Sequence, residues 1–180
     1  MFNQFRPATY GNTGRIWYEL SLQTENAQLA LLGLFMVSIA EFEGFYIAKS
    51  DPRYPSISQR NNNPGNLRPI GASQGFRFFN THDEGWEALK KQVLLNINRG
   101  LTLDEFFLGK PGVYPGYAPL GDNPADVMEN YISHVAARTS MARNLDLRYY
   151  FPSFSDIDAS SIPLGGMLIA YKPFDGVFHE

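Results

Sequence analysis

ENAQLALLGLFMVSIAEFEGFY, residues 25–46, decides the fold. From Ala27 to Ala40 the apolar residues Leu29, Ala30, Leu31, Leu32, Leu34, Phe35, Met36, Val37 and Ile39 leave hardly a polar stripe. A helix that is apolar around its circumference has to be surrounded by protein, so residues 25–42 are read as the central helix of the fold. Its most apolar part is 14 residues long, short of the roughly 20 that cross a bilayer, and no transmembrane segment is expected. Gly44 is placed to end the helix, because glycine tolerates the left-handed conformation that follows many helix C-termini.

Two carboxylates stand at that end, Glu41 and Glu43. Positions two apart on a helix point about 200° from each other, so only one of them can face a given site. Glu43, beside Gly44 and followed by Phe45 and Tyr46, is the better placed. Apolar surroundings, the negative end of the helix dipole and the absence of any Lys or Arg within five residues would all raise its pKa. A carboxyl that stays neutral at working pH is what protonating a glycosidic oxygen requires. The plainer reading is that both glutamates are solvated residues at a helix end.

Downstream, residues 50–80 are dense in Pro, Gly and Asn, which predicts loops and turns. Their aromatic end, Phe76, Phe78 and Phe79, reads as one strand of a small hairpin with the segment around Leu67. Within them RNNNPGNLR, residues 60–68, holds four asparagines, a Pro-Gly turn and flanking arginines. Carboxamides both donate and accept, which suits the N-acetyl and hydroxyl groups of amino sugars, although polar turn-rich loops also occur without function.

Thr81 with Glu84 predicts a capping box that opens a second helix, with Trp86, Leu89, Val93 and Ile97 on one face, Lys90, Lys91 and Arg99 on a solvated face, and Gly100 as its stop. Thr102 with Glu105 opens a short third helix over Leu103–Leu108. Asn123 as cap and Pro124 as first helical residue open a fourth, whose Val127, Met128, Tyr131, Ile132, Val135 and Ala136 recur at helical spacing to about Ser140. The fold class expected is α+β, mainly helical, with a buried central helix and a small β-hairpin region. Residues 23–148 form the domain, with extensions over 1–22 and 149–180 and one further strand over Met167–Tyr171. Both extensions are rich in aromatics, which disordered tails normally lack, and docking on neighbouring subunits is favoured over wrapping the domain.

Composition narrows the function classes. Fifteen basic against eighteen acidic residues give a net charge of −3 with no long block of either sign, so nucleic acid is a poor partner. With no cysteine and only His82, His134 and His179, neither a metal site nor a cofactor is expected. The N-terminus has no signal-peptide layout. His82 and Asp83 invite a His-Asp catalytic reading, but no cysteine or Gly-x-Ser-x-Gly is present for them to activate, and helix-start roles suit them better.

A helix ending in Glu-Gly-Phe, then RNNNPGNLR, then GFRFFNTHDEG leading into a helix, then YAPLGDNPADVMENYISHVA, together resemble the phage virion-associated lysozyme or lytic transglycosylase-like proteins of the lysozyme-like superfamily. The likeness covers roughly residues 26–140. It implies Glu43 as the catalytic acid/base and Asn62, Asn63 and Asn66 as part of the glycan-binding cleft. Tyr117 and Tyr131 would be cleft or core tyrosines. The implied activity is cleavage of the β-1,4 bond between N-acetylmuramic acid and N-acetylglucosamine in peptidoglycan glycan strands. The implied location is a virion that opens the host cell wall locally in the periplasm, with other virion proteins held through the terminal extensions. The best-known transglycosylases carry Glu-Ser where this chain has Glu-Gly, which leaves the reaction subtype open. A hydrolase needs a second carboxylate, for which Asp51, Asp83 and Asp122 are the candidates; a lytic transglycosylase needs only the one glutamate. The alternative is a structural virion protein that keeps the domain for glycan binding or assembly.

Overall fold

The computed structural model describes residues 25–69, 75–118, 123–154, 157–162 and 164. Among the described residues five α-helices carry the fold: α1 (Glu25–Phe42), α2 (Ile57–Arg60), α3 (His82–Asn98), α4 (Leu103–Leu108) and α5 (Ala125–Thr139). Three short 3-10 turns follow, Leu147–Tyr149, Pro152–Phe154 and Ala159–Ser161. α1 is central, packed chiefly along α5 and also against α3. Leu32, Phe35, Met36, Ile39 and Ala40 are wholly covered, as the apolar circumference of the helix demands. Among the described residues it is the one helix long and apolar enough to cross a membrane by length and composition, and just over half of it is buried inside the protein.

The helix ends follow local chemistry. Thr81 caps α3 through Glu84 N–H, but the Glu84 carboxylate reaches the backbone N–H of Asn80, one residue beyond the reciprocal bond of a full capping box. Thr102 and Glu105 make the complete box on α4. α5 begins at Ala125 with Pro124 as the cap residue and no side-chain cap bond, so the cap expected at Asn123 is not used. Lys90, expected on a solvated face, is buried at 1 % exposure, with its ammonium on Glu87 and on the backbone carbonyl of Ile162.

The expected α+β class and its β-hairpin are overturned: the fold is helical, and no strand forms among the described residues. The two segments do lie side by side, with Arg77 N–H on Leu67 O (2.8 Å) and Phe79 N–H on Asn61 O (2.9 Å). Asparagine side chains take the places a backbone ladder would fill. Asn62 Nδ2 donates to Phe79 O (2.9 Å), and Asn63 Nδ2 donates to both Leu67 O and Arg77 O (2.9 Å each). Asn62 and Asn66 also adopt left-handed φ of 49° and 46°, which breaks an extended strand. The strand expected over 167–171 and the extension over 1–22 lie outside the described residues.

Residues 149–154 and 157–162, expected as part of an extension docked on a neighbour, contribute to the same core. Tyr150, Phe151, Phe154 and Ile162 are buried in it. Gln28, wholly buried near the start of α1, exchanges two hydrogen bonds with Ser153 (3.0 and 2.8 Å).

Candidate active site

The last turn of α1 closes in a Schellman motif that fixes Glu43. Phe45 N–H bonds Ala40 O (2.9 Å) and Gly44 N–H bonds Glu41 O (3.1 Å), which puts Glu43 at the C-cap. The motif needs a left-handed residue after the cap, and Gly44 supplies it at φ 75°. Sequence reasoning missed α2, which braces this turn. Ser58, wholly buried, donates to Glu43 O (3.0 Å), and Gln59 Nε2 donates to Ile47 O (3.1 Å). The signal was present in Ser56 and Gln59, which form a complete capping box.

Both oxygens of the half-buried Glu43 carboxyl carry neutral donors. Asn66 Nδ2 lies 2.8 Å from Oε2, and the Tyr131 hydroxyl lies 2.8 Å from Oε1. Burial pushes the carboxyl above the usual carboxylate range, while the bonds from Asn66 and Tyr131 pull the other way. No charged side chain contributes to that balance. The Tyr131 hydroxyl is held well above the usual phenol range, first by burial and then by the charge of Glu43, so it remains an O–H donor. The Tyr131 ring stacks on Phe42 at 3.9 Å, which ties α5 to the last residue of α1.

Glu41 faces elsewhere. Arg138 grips it with both Nε (3.1 Å) and Nη2 (2.8 Å), and His134 Nε2 stands 3.3 Å away. The two glutamates are thereby divided between an ion-paired position and a neutral one.

Of the asparagines, only Asn66 touches Glu43; its Oδ1 is buried with no hydrogen-bond partner. Asn62 spends its amide on Phe79 O and Asn80 O. Asn63 is wholly buried, donating to Leu67 O and Arg77 O and accepting from Leu67 N–H (2.9 Å). Both hold the shape of the loop that presents Asn66. Tyr117 sits one layer out, with its hydroxyl on Gly65 O and its ring stacked on Phe106 at 5.2 Å. A side chain at Gly65 would collide with that hydroxyl and with Leu89, so the Pro-Gly step lets the loop seat tightly. Burial and the charge of Glu43 hold Tyr117 well above the usual phenol range as well.

Of the second-carboxylate candidates, Asp51 is committed to Arg53, whose guanidinium holds it at about 2. Asp83 is exposed in the first turn of α3, and Asp122 lies outside the described residues. Among the described residues no cluster of His, Cys, Asp and Glu fit to hold a metal is present. No family model, curated protein or solved structure matches the chain.

Proposed function

We propose that the protein is a lysozyme-like glycosidase that cleaves the β-1,4 bond between N-acetylmuramic acid and N-acetylglucosamine in peptidoglycan. In this reading it is carried in a phage virion and opens the host wall locally from the periplasm. One observation carries the reading: an acid at the C-cap of the buried helix, raised by burial and held by two neutral donors with no counter-charge.

Neutral Glu43 donates its proton to the glycosidic oxygen as the bond to the anomeric carbon breaks. The resulting carboxylate, held by Asn66 and Tyr131, then removes a proton from the incoming nucleophile. With Glu43 as the sole acid/base, that nucleophile is the muramoyl 6-hydroxyl, whose oxygen bonds the anomeric carbon and gives an anhydro sugar. The proton returns to Glu43, so the cycle balances.

The test is digestion of purified sacculi with mass spectrometry of the soluble products. Anhydromuramoyl ends are expected, and Glu43→Gln should reduce their release by about 10²–10⁴-fold, the usual contribution of a general acid. Reducing muramoyl ends would replace the transglycosylase step with hydrolysis. Glycan binding without release of either product would favour the structural virion role.

A further inference from the structure

The loop that brings Asn66 to Glu43 belongs to a stretch of sequence with basic residues and no acid. Residues 52–80 contain Arg53, Arg60, Arg68 and Arg77 and no Asp, Glu or Lys, in a chain of net charge −3. Asp51, just before the segment, is taken up by Arg53. The acids just after it, Asp83 and Glu84, lie in the first turn of α3, where Glu84 holds Asn80 N–H.

The same segment presents aromatic surface. Over residues 75–79 alternate side chains part company: Phe79 is buried, whereas Phe76 and Phe78 are exposed, Phe78 at 65 %. The Arg68 guanidinium lies over the Phe76 ring at 5.7 Å, and Arg77 lies over Phe79 at 4.6 Å. Arg77 N–H bonds Leu67 O, next to Arg68. Arg68 is two residues from Asn66, hence within about 7 Å of it along the chain, and Asn66 touches Glu43. The distance is that of one or two sugar rings. An exposed ring face beside guanidinium groups suits a ligand with an apolar face and pendant carboxylates, since Arg pairs carboxylates in a bidentate manner.

Building on the reading of Glu43 as a glycosidase acid, we propose that this arginine-aromatic surface binds carboxylate-bearing glycan and so selects muramoyl polymers over neutral amino-sugar polymers. Phe76 and Phe78 offer ring faces, and Arg60 and Arg68 take the carboxylates. Those carboxylates come from the stem peptide or, on strands that have lost it, from the lactyl group that the stem otherwise holds as an amide.

Binding of the full chain carrying Glu43→Gln separates this from catalysis, because it needs no turnover. Co-sedimentation is measured with intact sacculi, with amidase-stripped glycan strands, in which loss of the stem frees the lactyl carboxylate, and with chitin, which has none; duplex DNA is the control polyanion. Binding is expected to sacculi and to little or no chitin, and raising salt to 0.5 M should weaken it. Arg60→Gln with Arg68→Gln should weaken it about tenfold, and the double Lys variant should recover most of the loss. Retained binding to stripped strands shows that the freed lactyl carboxylate suffices, and loss on stripping assigns the stem. Equal binding to chitin or to DNA, or a double Gln variant that binds as tightly as its parent, overturns the proposal. Failure of product release with binding intact would instead count against the glycosidase reading alone.

Discussion

Two neutral partners on one carboxyl have to serve both of its protonation states. A tyrosine hydroxyl donates or accepts, and a carboxamide turned by 180° exchanges its donor for its acceptor. Tyr131 and Asn66, whose Oδ1 has no partner at present, can therefore hold Glu43 as carboxylate and as acid. Removing a donor removes a pull toward the charged form. Tyr131→Phe is expected to raise the Glu43 pKa further and to move the alkaline limb of the pH-rate profile to higher pH. The folded-state pKa of Glu43 already lies above its ordinary 4.5, so the stability it contributes is complete below pH 4.5 and is lost as pH rises through the folded value. Glu43→Gln should accordingly raise the Tm at pH 7, with the gain vanishing below pH 4.5 in a pH series of thermal melts. Gly44→Ala forces a side chain into φ 75°, and about 1–2 kcal/mol of lost stability in denaturant unfolding is expected, with reduced activity as Glu43 is re-aimed.

Among the elements, what the sequence discloses is what local chemistry controls. α1, α3, α4 and α5 were all legible, because periodicity and caps are written in neighbouring residues. The hairpin was misread for a physical reason. Phe76 and Phe78 alternate as a strand would, yet Asn62 and Asn63 lie on the partner segment and satisfy the carbonyls of Arg77 and Phe79 with side-chain amides. Pattern alone does not tell whether a carbonyl is met by backbone or by carboxamide. The two asparagines differ in consequence. Asn63→Ala strands buried groups of Leu67 and Arg77 and should cost about 2–4 kcal/mol in urea unfolding, against about 1 kcal/mol for the more exposed bonds of Asn62→Ala. Equal losses would mean that the loop is held by other contacts.

Across the whole molecule, the site joins residues far apart in sequence. Glu43 and its distinction from Glu41 could be argued from the residues themselves, but the arrival of Tyr131, 88 positions later, depended on how α5 crosses α1. Only the family resemblance singled it out, and it left core and cleft undivided. The role of residues 149–154 and 157–162 was likewise invisible, since aromatic, turn-rich composition describes a docked arm and a core-closing segment equally well. Their burial gives a definite expectation. A chain ending at residue 148 loses Tyr150, Phe151, Phe154 and Ile162 from its core, and it should show no cooperative thermal transition. Lys90→Met leaves the Ile162 carbonyl unmet, so limited proteolysis beyond residue 157 should quicken while the far-ultraviolet helix signal is retained.

The bond pair between Gln28 and Ser153 also bears on how the protein is made. A ribosome releases α1 first, with its apolar circumference bare, and adds Ser153 125 residues later. At roughly 5–20 residues per second that interval is on the order of ten seconds. Throughout it the helix that carries the acid lacks its covering segment, and a chaperone that holds nascent apolar helices has time to act. Completion of the core, and with it the finished surroundings of Glu43, would wait until the segment that carries Tyr150, Phe151, Phe154 and Ile162 has been added.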